Sequence, residues 1–150
     1  MSLPAIGFVG VGRMGANMAR RLKEVGYPIV AVYDARPETA AGVAAELEAT
    51  AAERVSEVSR SAEVTFTIVT DDAAMRSIYF GPNNLFEHAS GKLFVNCATV
   101  NPAVHVEVEA EGAQRGAQVL EAPMASSIPP GARRQALHDA GRRSRRLPAG

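Results

Sequence analysis

The chain has 150 residues, a mass of 15.8 kDa and a formal net charge of zero, which is the size of one domain with a single hydrophobic core. Hydrophobic residues make up 47% and charged residues 21%, a balance that excludes an intrinsically disordered protein and is typical of a soluble α/β domain. No apolar run reaches about 18 residues, no secretory signal is recognisable and Cys97 is the one cysteine, so we expect a cytoplasmic protein with a packed thiol, no membrane partner and no metal site.

Short runs rich in β-branched residues alternate with longer stretches of helical period, a pattern that predicts βαβ units and a parallel sheet. The predicted strands span residues 5–9, 28–33, 64–69, 92–96 and 118–122, with a weak third strand somewhere in 50–55. The predicted helices span residues 13–25, 37–47, 72–78 and 102–115. In the first helix the spacing places Met14, Met18, Leu22 and Val25 on one face.

Several predicted helix ends carry residues suited to those positions. Asp71 and Asp72 are candidate caps for the third predicted helix, and Asn101 followed by Pro102 is a cap with proline at the first helical position. Gly26 and Gly116 end the first and last predicted helices.

The run Gly10-Val11-Gly12-Arg13-Met14-Gly15 is a G-x-G-x-x-G between the first strand and the first helix. In that context Gly10 permits a tight turn, Gly12 lets a pyrophosphate approach the backbone, and Gly15 permits close packing of helix on strand. The first-turn N–H groups of the helix then face the anion. We therefore predict a dinucleotide site formed by Gly10, Gly12, Arg13, Met14 and Gly15.

Asp34 ends the second predicted strand, 22 residues after Gly12. A carboxylate there accepts hydrogen bonds from both ribose hydroxyls and repels a 2′-phosphate, which favours NAD over NADP. Arg36 acts in the opposite direction, since it is suited to pairing with a 2′-phosphate, so NADP stays open. An FAD site uses the same glycine pattern and is a further alternative.

The chain carries three notable motifs, GFVGVGRMGANMA at residues 7–19, NCATVNP at 96–102 and GAQVLEAPM at 116–124. Together they resemble the N-terminal domain of the β-hydroxyacid dehydrogenases, the family of 3-hydroxyisobutyrate dehydrogenase, tartronate semialdehyde reductase and 6-phosphogluconate dehydrogenase. Residues 7–19, GFVGVGRMGANMA, are similar to the family's G-F-I-G-L-G-x-M-G-x-x-M-A. Residues 96–102, NCATVNP, are similar to its D-x-S-T-x-x-P turn, and residues 116–124, GAQVLEAPM, to its G-A-x-F-x-D-A-P-V. The resemblance covers residues 5 to about 125.

The resemblance implies an α/β fold with a Rossmann-like, doubly wound and mainly parallel sheet. It implies that the backbone of Val69 and Thr70 runs beneath the bound cofactor and that Thr99 lies near the nicotinamide ring. It also implies a small β-hydroxy acid substrate bordered by Thr99 and Ser126. Ordinary polarity at a strand end is the alternative explanation of Thr99.

The sequence departs from the family at two places. Ala125-Ser126-Ser127 stands where the family often has S-G-G for the substrate carboxylate, so the substrate stays open. The family's catalytic lysine lies in a later, all-helical domain that also forms its homo-oligomer, whereas Lys23 and Lys92 are the two lysines here. We expect both lysines to be solvated surface groups, so this chain alone is expected to be inactive and its oligomeric state doubtful.

The last residues have a different composition from the rest. Residues 1–132 hold 10 Lys and Arg against 15 Asp and Glu, whereas residues 133–150 hold 6 Arg and one Asp. Reading the codons of residues 134–145 one nucleotide later permits G-K-L-Y-M-M-L-G-G-D-P, which is similar to the family. We therefore expect a dinucleotide-binding domain at 1–125 and an atypical tail at 126–150, frameshifted genuinely or by a sequencing error, and disordered.

The leading hypothesis is the cofactor domain of an NAD-dependent hydroxyacid dehydrogenase, with a downstream domain lost. The alternative is a non-catalytic dinucleotide-binding module. A nucleic-acid binder acting through the arginine-rich tail is a weaker third option, and we expect a solvated tail and no nucleic-acid partner.

Overall fold

The computed structural model describes residues 3–122. Within that range six strands form one sheet, and every strand pairing in it is parallel. The strands are Ile6–Val9 (β1), Ile29–Tyr33 (β2), Thr50–Ala51 (β3), Val64–Thr67 (β4), Leu93–Asn96 (β5) and Gln118–Glu121 (β6). The helices are Arg13–Glu24 (α1), Pro37–Leu47 (α2), Val55–Ser61 (α3), Asp72–Phe80 (α4) and Pro102–Gln114 (α5), with a 3₁₀ turn at Leu85–His88.

The strand order is β3-β2-β1-β4-β5-β6, so the chain starts in the middle of the sheet and builds outward in both directions. Helices α1 and α2 cover one face, where Phe8 of β1 stacks on Phe66 of β4 with ring centroids 5.1 Å apart. Helices α3, α4 and α5 cover the other face, where Tyr79, Phe86 and Phe94 form an aromatic cluster. Because both faces are covered, β1, β4 and β5 are buried along their whole length. The predicted α/β fold with a doubly wound, parallel sheet is confirmed.

Most of the predicted helix ends are confirmed. The Asp71 side chain accepts hydrogen bonds from the backbone N–H groups of Ala73 and Ala74 at the start of α4. Asn101 caps α5 with Pro102 at the first position. Gly26 and Gly116 follow α1 and α5 with φ of 104° and 77°, the left-handed region that favours glycine.

Helix α3 and the 3₁₀ turn were not predicted. The weak strand expected in residues 50–55 is only the pair Thr50–Ala51, after which Val55 begins α3. This helix has seven residues, too few to show a helical period, and it is held by tertiary packing. A Cβ on Gly7 of β1 would lie 2.5 Å from a Val58 methyl group, so the glycine allows α3 to approach the sheet.

The face that Met14 shares with Met18 and Leu22 is unevenly buried. Met14 is 47% exposed, whereas Met18 and Leu22 are each 6% exposed, because Met14 lies in the first turn of α1, at the edge of the sheet. The prediction that Lys92 is a solvated surface group was wrong. Lys92 is half-buried: its ammonium donates to the carbonyl oxygens of Ser59 at 2.6 Å and Ala62 at 2.9 Å, at the end of α3. Burial lowers the pKa of Lys92.

Lys23 is exposed, as predicted, and its ammonium donates to the carbonyl oxygen of Leu47 at the end of α2. The thiol of Cys97 is buried, also as predicted. Among residues 3–122, no helix has both the length and the apolar character needed to cross a membrane.

Candidate functional site

The predicted site residues gather at the edge of the sheet where the parallel strands end. At this edge the connection from β1 leads to α1 on one face, and the connection from β4 leads to α4 on the other. Strands β1 and β4 are neighbours in the sheet, although β2 and β3 lie between them in the sequence. Such a reversal leaves a crevice at the carboxyl ends of the two strands, which is where doubly wound sheets bind ligands.

The glycine turn between β1 and α1 has the geometry that the sequence predicts. Gly10 has φ of 94°, and a side chain there would also overlap the carbonyl oxygen of Ile68. A Cβ on Gly15 would overlap the carbonyl oxygen of Gly10, so α1 starts in close contact with the turn. In contrast, a Cβ on Gly12 would meet no atom of the protein within 4 Å. Gly12 therefore presents open backbone toward the crevice.

The N-terminus of α1 is suited to an anion. Gly12 is its cap and supplies no side-chain hydrogen bond, and the first turn carries no acidic residue. The first N–H groups of a helix have no partner within the helix, and they lie at the positive end of its dipole. Arg13 and Met14 are exposed beside them. A phosphate group approaching Gly12 thus meets backbone donors and no opposing charge within this turn.

The carboxylate of Asp34 connects the end of β2 to the glycine turn. Its Oδ1 accepts a hydrogen bond from the Val11 N–H at 2.9 Å, and its Oδ2 accepts one from the Arg36 N–H at 3.1 Å. Both bonds hold the carboxylate in place beside the turn. Arg36 itself is exposed, and its guanidinium has no acidic partner within the part of the chain that the structure describes.

The loops after β4 and β5 form the opposite side of the crevice. Thr70 and Thr99 are exposed and Val69 is half-buried, so the structure brings these three predicted residues to one edge. The Thr99 N–H donates to the Val69 carbonyl oxygen at 3.3 Å, which places the two loops side by side. Ser126, the other residue predicted to border the substrate, lies outside the described residues.

A buried polar group beneath these loops was not predicted. The Tyr79 hydroxyl lies 3.0 Å from the Thr67 hydroxyl at the end of β4, and it donates to Asn96 Oδ1 at the end of β5. Burial raises the pKa of Tyr79, so this hydroxyl remains a neutral donor. The signal in the sequence was a polar residue at the last position of each strand, Thr67 in β4 and Asn96 in β5. The group ties α4 to both strands directly below the crevice.

The fold and this edge together define a dinucleotide-binding α/β domain. The residues present fit such a cofactor, because Gly12 is the one glycine of the turn where a Cβ would meet open space, and because Asp34 stands beside it as an oriented acceptor. Val69, Thr70 and Thr99 lie at the same edge.

Comparison with known proteins supports this class. The family profile described as the NAD binding domain of 6-phosphogluconate dehydrogenase matches residues 5–138. The 3-hydroxyisobutyrate dehydrogenase of Pseudomonas aeruginosa is 31% identical over 124 residues, which cover 82% of this chain and 41% of that protein. The chain therefore belongs to the family of the 6-phosphogluconate dehydrogenase NAD-binding domain, as its motifs indicated.

Solved structures agree with that assignment. A Mycobacterium tuberculosis 3-hydroxyisobutyrate dehydrogenase with L-serine superposes with a TM-score of 0.72 at 27% identity, covering 82% of this chain and 41% of the other. A structure of Psf3 with NADP+ and 2-OPP gives a TM-score of 0.73 at 29% identity, covering 80% and 42%. This chain thus spans about two fifths of the length of these proteins.

Proposed function

We propose that this chain is the cofactor half of an NAD-dependent oxidoreductase that transfers a hydride between the nicotinamide and a small β-hydroxy acid. The observation that carries this proposal is the pairing of the open glycine turn with Asp34, whose carboxylate is fixed to that turn through the Val11 N–H. The 3-hydroxyisobutyrate dehydrogenase relatives support the substrate class.

The binding roles follow from the geometry of the turn. Backbone at Gly10, Gly12 and Gly15 would admit the pyrophosphate, and the N–H groups of the first turn, at Arg13 and Met14, would donate to it. The cofactor, when bound, supplies the hydride acceptor or donor, while the protein supplies its orientation.

Asp34 would select NAD over NADP. Its two oxygens offer about four acceptor positions, of which two are used by Val11 and Arg36, so about two remain for the two ribose hydroxyls. A 2′-phosphate at the same place would meet the negative carboxylate, which opposes the attraction of the Arg36 guanidinium. The NADP+ bound by the Psf3 structure shows that relatives of this chain include binders of the phosphorylated cofactor.

The substrate side would combine Thr99 with Ser126, and residues 1–125 would form the cofactor domain. Hydride transfer to or from a hydroxy acid needs a positioned acid or base beside the alcohol. Neither lysine of this chain is suited to that role. Lys92 enters β5 at the opposite edge of the sheet, with its ammonium bonded to the end of α3, and Lys23 lies at the other end of α1 from the glycine turn. We therefore propose that the chain alone binds the cofactor without turnover.

The second candidate function is a dinucleotide-binding module that never takes part in catalysis. Both lysines lie away from the crevice, which is expected for such a module and equally for an incomplete enzyme. The two functions differ in whether a lysine-bearing partner domain restores hydride transfer.

The test measures binding and turnover separately on the full chain. NADH fluorescence is titrated with protein, and NADH formation from 3-hydroxyisobutyrate and NAD+ is followed at 340 nm. Binding without turnover is expected of both candidate functions, so a second measurement separates them. If joining this chain to the part of the Pseudomonas aeruginosa relative that it does not match gives turnover, the chain is the cofactor half of an enzyme. If the joined protein binds NADH without turnover, the binding module replaces that interpretation.

A further inference from the structure

The loops that follow β4 and β5 are joined by two hydrogen bonds across the crevice edge. One is the backbone bond from the Thr99 N–H to the Val69 carbonyl oxygen, at 3.3 Å. The other runs from the Asn101 N–H to Asp72 Oδ1, at 2.9 Å. The second bond is the shorter one, and it is accepted by a charged side chain, which makes it the stronger type of hydrogen bond.

Asp71 and Asp72 stand next to each other but make different contacts. Asp71 is the cap of α4, and the hydrogen bonds of its side chain go to the N–H groups of its own helix, at Ala73 and Ala74. Asp72 begins the same helix, yet its carboxylate reaches the backbone of Asn101, 29 residues further along the chain. Asp72 thus links two elements, whereas Asp71 stabilises one.

The residue that Asp72 contacts controls where α5 begins. Asn101 is the cap of α5, and its side chain accepts a hydrogen bond from the Ala103 N–H at 2.9 Å. On the strand side, the Cys97 N–H donates to the Thr67 carbonyl oxygen at 2.9 Å. Thr99 therefore lies in a short loop whose two ends are both tied to the β4–α4 region, at Cys97 by backbone and at Asn101 by Asp72.

We propose that Asp72 is a positioning residue for the nicotinamide end of the cofactor site. Its carboxylate holds the loop that carries Thr99 against the backbone of Val69 and Thr70 before the cofactor binds. Holding both loops in place in the free protein removes an ordering cost that binding would otherwise incur. This inference rests on the proposed function, and it uses the position near Thr99 that the family resemblance implies for the nicotinamide.

The experiment compares two ligands that differ only at the nicotinamide. NADH carries the ring, whereas ADP-ribose has the adenosine, the pyrophosphate and the second ribose without it. Both lack a positive charge at this end, so loss of the Asp72 charge does not itself favour either ligand. Affinities are measured by calorimetry on the full chain for wild type, Asp72→Ala, Asp72→Asn and Asp71→Ala.

Asp72→Ala is expected to weaken NADH about threefold to tenfold, because the bond is solvent-exposed and acts on the ligand only through the loop, while ADP-ribose changes by less than about twofold. Asp72→Asn keeps an acceptor oxygen for the Asn101 N–H and is expected to restore most of the NADH affinity. Asp71→Ala is the matched control: it loses the helix cap and is expected to lower Tm without changing the ratio of the two affinities.

Three results would overturn the inference while leaving the proposed function intact. These are an equal loss for both ligands in Asp72→Ala, no loss for either ligand, and an Asp72→Asn variant as weak for NADH as Asp72→Ala. If wild type binds neither NADH nor ADP-ribose, the proposed function fails, and the inference fails with it.

Discussion

Replacing Asp34 by alanine tests how the chain selects its cofactor. The carboxylate accepts two backbone hydrogen bonds, from Val11 at 2.9 Å and from Arg36 at 3.1 Å, which leaves about two acceptor positions for ribose hydroxyls. A hydrogen bond to a charged group contributes about 1.5–3 kcal/mol, and we assign one such contribution to this half-buried carboxylate. Asp34→Ala is then expected to weaken NADH by about 10- to 150-fold.

The same variant is expected to bind NADPH no worse than wild type, since it also removes the repulsion of the 2′-phosphate. The ratio of the two affinities should therefore move toward NADPH by at least about tenfold, measured by fluorescence titration with each reduced cofactor. Arg36→Ala is the matched control, because it retains the backbone N–H that Asp34 accepts from and loses only the guanidinium. It should weaken NADPH and leave NADH unchanged. An unaltered ratio in Asp34→Ala would refute the ribose role of Asp34.

Three further predictions test the glycine turn, the buried hydroxyl and the capping lysine. Gly12→Ala is expected to abolish NADH binding at unchanged Tm, because its methyl meets no protein atom within 4 Å and would occupy the space of the pyrophosphate. Gly15→Ala should lose binding and also lower Tm, since its methyl would overlap the Gly10 carbonyl oxygen. In urea unfolding, Tyr79→Phe should cost about 1–3 kcal/mol, because it leaves buried partners unsatisfied. Lys92→Met keeps the aliphatic stem and should cost about 1–2 kcal/mol through the carbonyl groups it releases at the end of α3.

Each of these predictions has a contrary result. Wild-type affinity in Gly12→Ala would place the pyrophosphate elsewhere, and equal Tm values for Gly12→Ala and Gly15→Ala would contradict the packing described for the turn. A Tyr79→Phe variant as stable as wild type would mean that the hydroxyl contributes nothing net. An unchanged urea midpoint in Lys92→Met would show that this lysine is a solvated surface group after all.

The residues of the glycine turn and Asp34 were predictable because local sequence determines their geometry. A turn that requires positive φ at Gly10, followed directly by a helix, leaves few backbone arrangements. The carboxylate at the end of β2 is brought to that turn by the parallel pairing of β1 with β2, which the alternation of elements already implied. The roles of these residues in binding stay predictions until they are measured.

Other features depend on contacts between distant parts of the chain and leave no local pattern. Helix α3 has two apolar positions that matter, Val55 and Val58, and its place is set by Gly7 of a strand 48 or more residues earlier in the sequence. Lys92 resembled a surface residue because the carbonyl groups it caps belong to that unpredicted helix. The hydrogen bond from the Asn101 N–H to Asp72 was not predicted for a similar reason, since Asp72 is equally suited to capping its own helix.

The most direct test of the central claim is a calorimetric titration of the full chain with NADH, with Gly12→Ala measured beside it and the fold of both checked by circular dichroism. We expect one NADH site per wild-type chain, and no detectable binding by the equally folded Gly12→Ala variant. Folded wild-type protein that binds no NADH, or a Gly12→Ala variant that binds it equally well, would contradict the claim that this glycine turn holds a dinucleotide.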